Sequence, residues 1–302
     1  MTRLSTLLLT FIIALFIALA PTGTAQACEM SSSQRSLDLV EYVSVGQSCL
    51  NTPPPDFTFS PTMEAAFLEK INAERRKQGL APFKLREALK PAARFHSLDM
   101  GINGFFGHKT PLGRTHPARI SAFDRTLIAA ITAENVARLE MKCEDGVGRP
   151  VSCADMNMRG GDPMRGAVRE LHRQLMDSPG HRKNILAKDT THIAIGVART
   201  RYGVYVTQNF AKVSGTFERP VPLMLAAGTK AAFKPTLYDW DVRGLALMTD
   251  DSTSDLNGTI IPVGTQGQMD LSVRGEKDAS GNAFRYIYLP GPTVKVAPAR
   301  DS

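Results

Sequence analysis

The sequence predicts an α+β protein in which a helix-rich, strand-closed domain is followed by a small all-β region. Three observations predict it. Apolar residues recur at helical spacing over Ser60 to Lys77 and again over Arg86 to Met100. Two strand-like runs, Ile193 to Ala198 and Gly203 to Phe210, flank a turn at Thr200 to Gly203. Beyond Lys212, short apolar runs alternate with Gly, Pro, Asp and Ser clusters and carry no helical stripe, the pattern of a β-sandwich. Helices first and a hairpin second, without repeated βα units, give α+β.

Residues 1–27 read as a secretory signal peptide: Arg3, the apolar run Leu7 to Ala20, and Ala25-Gln26-Ala27 before Cys28. That run of 14 residues is too short to cross a bilayer comfortably, so the mature chain has no transmembrane span and is secreted or periplasmic. A lipid anchor on Cys28 is the alternative. Four cysteines in an exported chain allow three pairings, and proximity favours Cys28–Cys49 and Cys143–Cys153. Closing a loop of about ten residues stabilises by roughly 2 to 3 kcal/mol.

Residues 28–59 form an N-terminal arm ending in a spacer, Asn51 to Asp56, whose three consecutive prolines impose an extended course. Ser60 and Pro61 then open the first helix, striped by Met63, Phe67 and Ile71 and stopped at Gly79. A second helix carries Leu89, Ala92, Phe95 and His96. Glycines and a proline make Gly104 to Gly113 a loop, so His108 sits on irregular backbone. Ile120 to Arg138 reads as a further helix or half-helix bearing Glu134 and Asn135. Met141 to Pro163, polar and glycine-rich, is a surface excursion stapled by Cys143 and Cys153. After a helix over Met164 to Met176, Ser178 serves as N-cap and Pro179 as first helical residue. His181 falls in that first turn, where the helix dipole disfavours imidazolium.

The formal net charge of +7, reduced by one when Arg3 leaves with the leader, favours loose attraction to anionic envelope surfaces. Scattered basic residues and 7% aromatics give no stacking platform or basic stripe, so specific nucleic-acid recognition is not expected. The all-β region, 216–302, has no His or Cys, and Asp250-Asp251 and Trp240 read as turn residues and a core anchor.

Seven motifs in order carry a resemblance. They are Asn72-Ala73-Glu74-Arg75, Ala93 to Met100, Phe106-Gly107-His108, Glu134-Asn135-Val136-Ala137, Ser178 to Leu186, Ile195-Gly196-Val197 and Tyr205 to Phe210. Together, over Thr62 to Val213, they resemble the CAP superfamily of cysteine-rich secretory proteins, antigen 5 and pathogenesis-related proteins (the SCP domain), in its bacterial secreted branch. The resemblance implies an α-β-α sandwich over 60–215, with a cleft where two histidines and two acids meet and, in some members, hold zinc. The family's first histidine falls on His108, its first glutamate on Glu134 and its second histidine on His181. Its second glutamate falls on Ser178, with Leu175 at the tryptophan three residues before.

The implied metal set is therefore His108, Glu134 and His181, holding zinc or another divalent cation weakly and leaving a position open. Asn135 and Arg119 line or orient the cleft. The reading favoured is a non-enzymatic module that binds a lipid, glycan or peptide in the extracytoplasmic space. The alternative is a metal-assisted hydrolase with Glu134 as catalytic candidate. A serine hydrolase is disfavoured, because a capping Ser178 is using its hydroxyl and no GxSxG elbow is present. His96 reads as a core residue; His116, His172 and His192 read as surface polar groups.

Overall fold

The structure is a computed structural model of the chain and describes residues 28, 30, 38–140, 142–144, 150–152, 163–200, 203–256, 260–279 and 283–299. The expected leader and Cys153 of the expected Cys143–Cys153 pairing lie outside these residues. Among the described residues no helix is long and apolar enough to cross a membrane.

The stretch read as an arm contains a helix, α1 (Leu39–Asn51). Asp38 caps it, accepting from the Val40 and Glu41 N–H groups at 2.9 and 3.2 Å. Leu39, Val43 and Cys49 are buried along one face, and Cys49 is disulfide-bonded to Cys28. The Cys28 sulfur is thus committed to a disulfide, which corrects the lipid-anchor alternative: a thioether would need the same atom. After the prolines come β1 (Thr58–Phe59) and α2 (Pro61–Lys77), with the Ser60 hydroxyl accepting from Met63 N at 3.4 Å. Gly79, at φ +67°, ends α2 in the left-handed conformation that glycine adopts without strain.

Next are β2 (Lys84–Leu85), a 3₁₀ turn at Glu87–Leu89, α3 (Lys90–Ile102) and α4 (His116–Phe123). The helix expected over Ile120 to Arg138 is corrected here: α4 stops at Phe123, and Leu127–Glu140 is a strand, β3. Asp124 turns the chain, its carboxylate accepting from the Thr126 N–H and hydroxyl. Ala129, Ala130, Ala133 and Ala137 are good helix formers, and the pairing of β3 along a neighbouring strand overrides that preference.

A hairpin of β4 (Lys142–Glu144) and β5 (Pro150–Ser152) precedes α5 (Pro163–Asp177), α6 (Pro179–Ile185), β6 (His192–Arg199) and β7 (Gly203–Phe217). The remaining strands are β8 (Met224–Ala226), β9 (Pro235–Leu237), β10 (Asp241–Met248), β11 (Thr253–Asp255), β12 (Gly267–Ala279) and β13 (Ala283–Ala297).

The first sheet runs β1-β6-β7-β3, with β2 parallel to β6 and β9 antiparallel to β7. Its two faces differ by strand alternation. On one face Ile193, Ile195, Val197, Val206 and Phe210 meet Phe67 and Ile71 of α2 and Leu171 and Leu175 of α5. On the other, α3 lies directly on β6: a Cβ on Gly196 would come within 2.1 Å of the Arg94 amide nitrogen. The result is the expected α-β-α layering, with β3 at the edge of the strand path.

The later strands form a second sheet, β11-β10-β12-β13-β8. Its core joins Leu247, Leu271, Val273 and Leu289 to Ile128 of β3, Phe217 of β7 and Leu237 of β9. The ends of the first sheet thus supply apolar residues to the core of the second. Arg125, just beyond α4, donates to the carbonyls of Ser121, Val221, Pro222 and Thr293 and ties the two parts together.

Candidate ligand-binding cleft

The edge position of β3 organises the site. Glu134 and Asn135 are consecutive on a strand, so their side chains leave opposite faces of the sheet. Glu134, opposite Asn209 on β7, faces α3 and α4; Asn135, opposite Gln208, faces α6. His108 comes from the loop between α3 and α4 and His181 from the first turn of α6, and their ring centroids lie 6.3 Å apart. The two imidazoles therefore meet around the strand edge from opposite sides.

On the Glu134 side both carboxylate oxygens are hydrogen-bonded. Arg119 Nη2 donates to Glu134 Oε2 at 2.6 Å, and both side chains are fully buried. Arg119 Nη1 also donates to the Arg114 carbonyl at 2.8 Å. His108 Nδ1 is 3.1 Å from Glu134 Oε1. A carboxylate only accepts, so the proton is on Nδ1, and a neutral His108 presents its Nε2 lone pair from a ring that is half exposed. Burial pushes the Glu134 carboxyl up, but the His108 hydrogen bond and the Arg119 guanidinium outweigh it, holding the group below the usual carboxylate value.

His96 supports this arrangement from beneath. Its Nε2 is 2.9 Å from the Gly107 carbonyl, next to His108, and 4.0 Å from Glu134 Oε1. Burial, reinforced by Arg119, pulls its pKa down to about 4, so the ring is neutral and its Nε2–H fixes the loop that presents His108. The core reading of His96 agrees with this placement.

On the α6 side, Asn135 Nδ2 donates to the His181 carbonyl at 3.2 Å and to Gln208 Oε1 at 3.1 Å. Asn184 Nδ2 donates to Asn135 Oδ1 at 2.9 Å and to the Glu134 carbonyl at 3.2 Å. These bonds clamp α6 to the strand edge and set the height of His181. Burial and the neighbouring His108 lower the His181 pKa. The direction is the expected one, toward a neutral ring.

Three expectations need correction. Ser178 occupies the N-cap position of α6 and its carbonyl accepts from Arg182 N at 2.9 Å, but its side chain makes no capping bond. His172 is buried, not a surface group, since it lies on the face of α5 that turns inward beside Leu171. His116 is half-buried, its Nε2 3.4 Å from the Thr132 carbonyl on the β3 edge, so it flanks the cleft. His192 is partly exposed, and Leu175, at the tryptophan position, is a core residue.

The donor set does not fit a tetrahedral cation as it stands. Both Glu134 oxygens are engaged, one by a buried guanidinium whose charge opposes a metal at the same carboxylate. Among the described residues no group of three His, Cys, Asp or Glu side chains is placed to hold an ion. Asn184 and His116 were the residues missed: Asn184 lay inside a quoted motif without a role, and His116 had no pattern at all.

Residues 68–210 match the model of the CAP, or cysteine-rich secretory protein, family. A 158-residue stretch is 31% identical to the uncharacterized protein YkwD of Bacillus subtilis, covering 51% of this chain and 50% of that protein. The chain thus spans about half the length of the curated relative it matches. Among solved structures, it is similar to an outer surface protein from Borrelia burgdorferi, at 17% identity and TM-score 0.38, over 52% of this chain and 98% of that one. It is also similar to an extracellular SCP-domain protein from Bacillus anthracis, at 24% identity and TM-score 0.35, over 50% of this chain and 40% of that one. Through residues 68–210 this chain belongs to the CAP family of cysteine-rich secretory proteins.

Proposed function

We propose that this protein is an exported binding module whose cleft, formed by His108 and His181 around the edge of β3, holds an extracytoplasmic lipid, glycan or peptide. The observation that carries this reading is the buried Arg119–Glu134 ion pair. A carboxylate with both oxygens engaged, held below its usual pKa, is poorly placed to take a proton near neutral pH or to ligate a cation. It is well placed to orient His108. The exposed imidazole nitrogens then serve as acceptors for ligand hydroxyl or amide donors. The Cys28–Cys49 disulfide supports an oxidising, extracytoplasmic setting.

The hydrolase alternative draws on the His108–Glu134 hydrogen bond, an arrangement that also orients a general base. One experiment separates the two. Mature protein and its His108→Ala/His181→Ala variant are exposed to lipid, glycan and peptide fractions of a bacterial envelope, and retained ligand is measured by mass spectrometry. Turnover of ester and peptide libraries is followed in parallel with Glu134→Gln. Binding predicts ligand retained by the wild type and lost from the double variant, with no turnover that depends on Glu134. Turnover abolished by Glu134→Gln would overturn it.

A further inference from the structure

Ser121 of α4 and Asp38 at the start of α1 meet the second sheet at Thr293 and Lys295, and beyond that end the sheet has an open face on which no part of the proposed cleft lies. Along β13, Leu289 faces the core and Ile287 packs against it, so Phe284, Tyr286 and Tyr288 share the opposite face. Phe284 is 61% exposed and Tyr286 73% exposed. Successive rings on one strand face stand about 7 Å apart, so the three form a nearly straight column. Low overall aromatic content concealed it, because what matters is that these rings fall at alternate positions of one strand.

A polar column runs beside the aromatic one. In the β12–β13 register Asp278 lies opposite Phe284, Glu276 opposite Tyr286 and Arg274 opposite Tyr288. The Tyr288 hydroxyl donates to Asp255 Oδ1 at 3.1 Å, and Arg274 lies 3.6 Å from the other oxygen of that carboxylate. One strand further, Gly244 pairs with Arg274, and no atom lies within 4 Å of where its Cβ would be, which leaves a trough open beside the columns. The same face continues into a recess of about 440 Å³ whose lining includes Tyr288, Asp250, Asp270, Gln268 and Ser272 and carries no Lys or Arg. Thr293 orients Asp270 within it, donating to Oδ1 at 2.6 Å.

We infer that this face is a second binding surface, for an extended, uncharged or amino-bearing polysaccharide chain. Flat aromatic faces stack on the apolar C–H faces of sugar rings, and carboxylate, amide and hydroxyl groups alongside accept from and donate to sugar hydroxyls. The recess volume lies in the range of small-molecule sites and suits a terminal or branching sugar. Asp278 and Asp270 repel an anionic bilayer or nucleic acid, Glu276 and Asp255 are paired with Arg243 at 3.4 Å and Arg274 at 3.6 Å, and burying these charged groups against lipid would carry a large desolvation cost. A second copy of this chain fits poorly, because protein interface cores are depleted of charge whereas each ring here has a charged residue across the strand. This inference rests on the second sheet alone and stands whether or not the cleft reading holds.

The test uses the full mature chain. Wild type, Phe284→Ala/Tyr286→Ala, Gly244→Arg and the exposed α2 variant Arg76→Met are mixed with chitin, cellulose and purified peptidoglycan sacculi, and with vesicles containing phosphatidylglycerol, and bound fractions are measured by sedimentation. The expected result is retention of the wild type by at least one of the three glycans, a loss of tenfold or more in affinity for the double variant and for Gly244→Arg, and no change for Arg76→Met. The first pair of rings is exposed and Gly244→Arg blocks the trough without removing them, so concordant loss is not a folding artefact. Absence of retention by every glycan, equal retention of wild type and both surface variants, ring-dependent sedimentation with vesicles alone, or a ring-dependent monomer–dimer equilibrium without glycan binding would each overturn the inference.

Discussion

His96 and Asp99, one helical turn apart on α3, pull the acid response of the protein in opposite directions. His96 is neutral in the fold with a pKa of about 4 against an ordinary 6.5, so acidification across that interval favours the unfolded chain, which takes the proton first. Burial raises the Asp99 carboxyl to about 6 from 3.8, partly opposed by the Asn103 side chain, so acidification across that window favours the folded state. Each effect is on the order of 3 kcal/mol, and the two nearly cancel. Relative to the wild type, His96→Gln should therefore gain stability as pH falls from 6.5 to 4, and Asp99→Asn should lose it. Urea midpoints measured across that range check both; parallel profiles for all three proteins would contradict the assignment. At this scale His108, Glu134 and His181 were legible because short motifs surround them. Arg119 was legible only as a lining residue, since nothing in a lone arginine on a helix says that it will be buried against one particular carboxylate.

Among the elements, α2 was readable to the residue, through Ser60, Pro61, an apolar stripe and Gly79. α1 went unread although Asp38 and the Leu39, Val43, Cys49 spacing are helical signals, because the prolines that follow drew attention to an extended course. β3 was misread because its alanines carry no strand signature and its identity comes from pairing with β7. What holds the elements together is more specific than periodicity. Arg75, buried near the end of α2, donates to the carbonyls of Ala81, Ile185 and Ala187 and so joins α2 to the end of α6. Arg75→Met should destabilise by roughly 2 to 4 kcal/mol, since the buried Ile185 carbonyl and two partly buried carbonyls lose a charged donor. The neighbouring Arg76→Met, at an exposed position, should shift stability by no more than about 0.5 kcal/mol in the same denaturation assay. Equal effects would mean that the α2–α6 junction is not held by this side chain.

For the whole molecule, the CAP family match ends at residue 210, yet the structure does not stop there. The second sheet shares its core with β3 and β7, and Arg125 bonds four carbonyls across the junction next to the helix that carries Arg119. The sequence shows the change of character near residue 212 but not this attachment, because its contacts join residues about 90 to 170 positions apart. Arg125→Ala should raise amide hydrogen exchange over α4 and β8 while leaving α2 and α5 protected; unchanged exchange over α4 would show that the junction does not brace it.

The central claim is that Glu134 belongs to Arg119 and His108 and that the cleft is a binding site of two imidazoles, not a three-ligand metal centre. Calorimetric titration of zinc into the mature protein at neutral pH, repeated with His108→Ala, His181→Ala and Glu134→Gln, tests it most directly. The account predicts no stoichiometric uptake tighter than about 10 μM in the wild type and no difference among the variants; saturable uptake of one zinc that is lost in all three would contradict it.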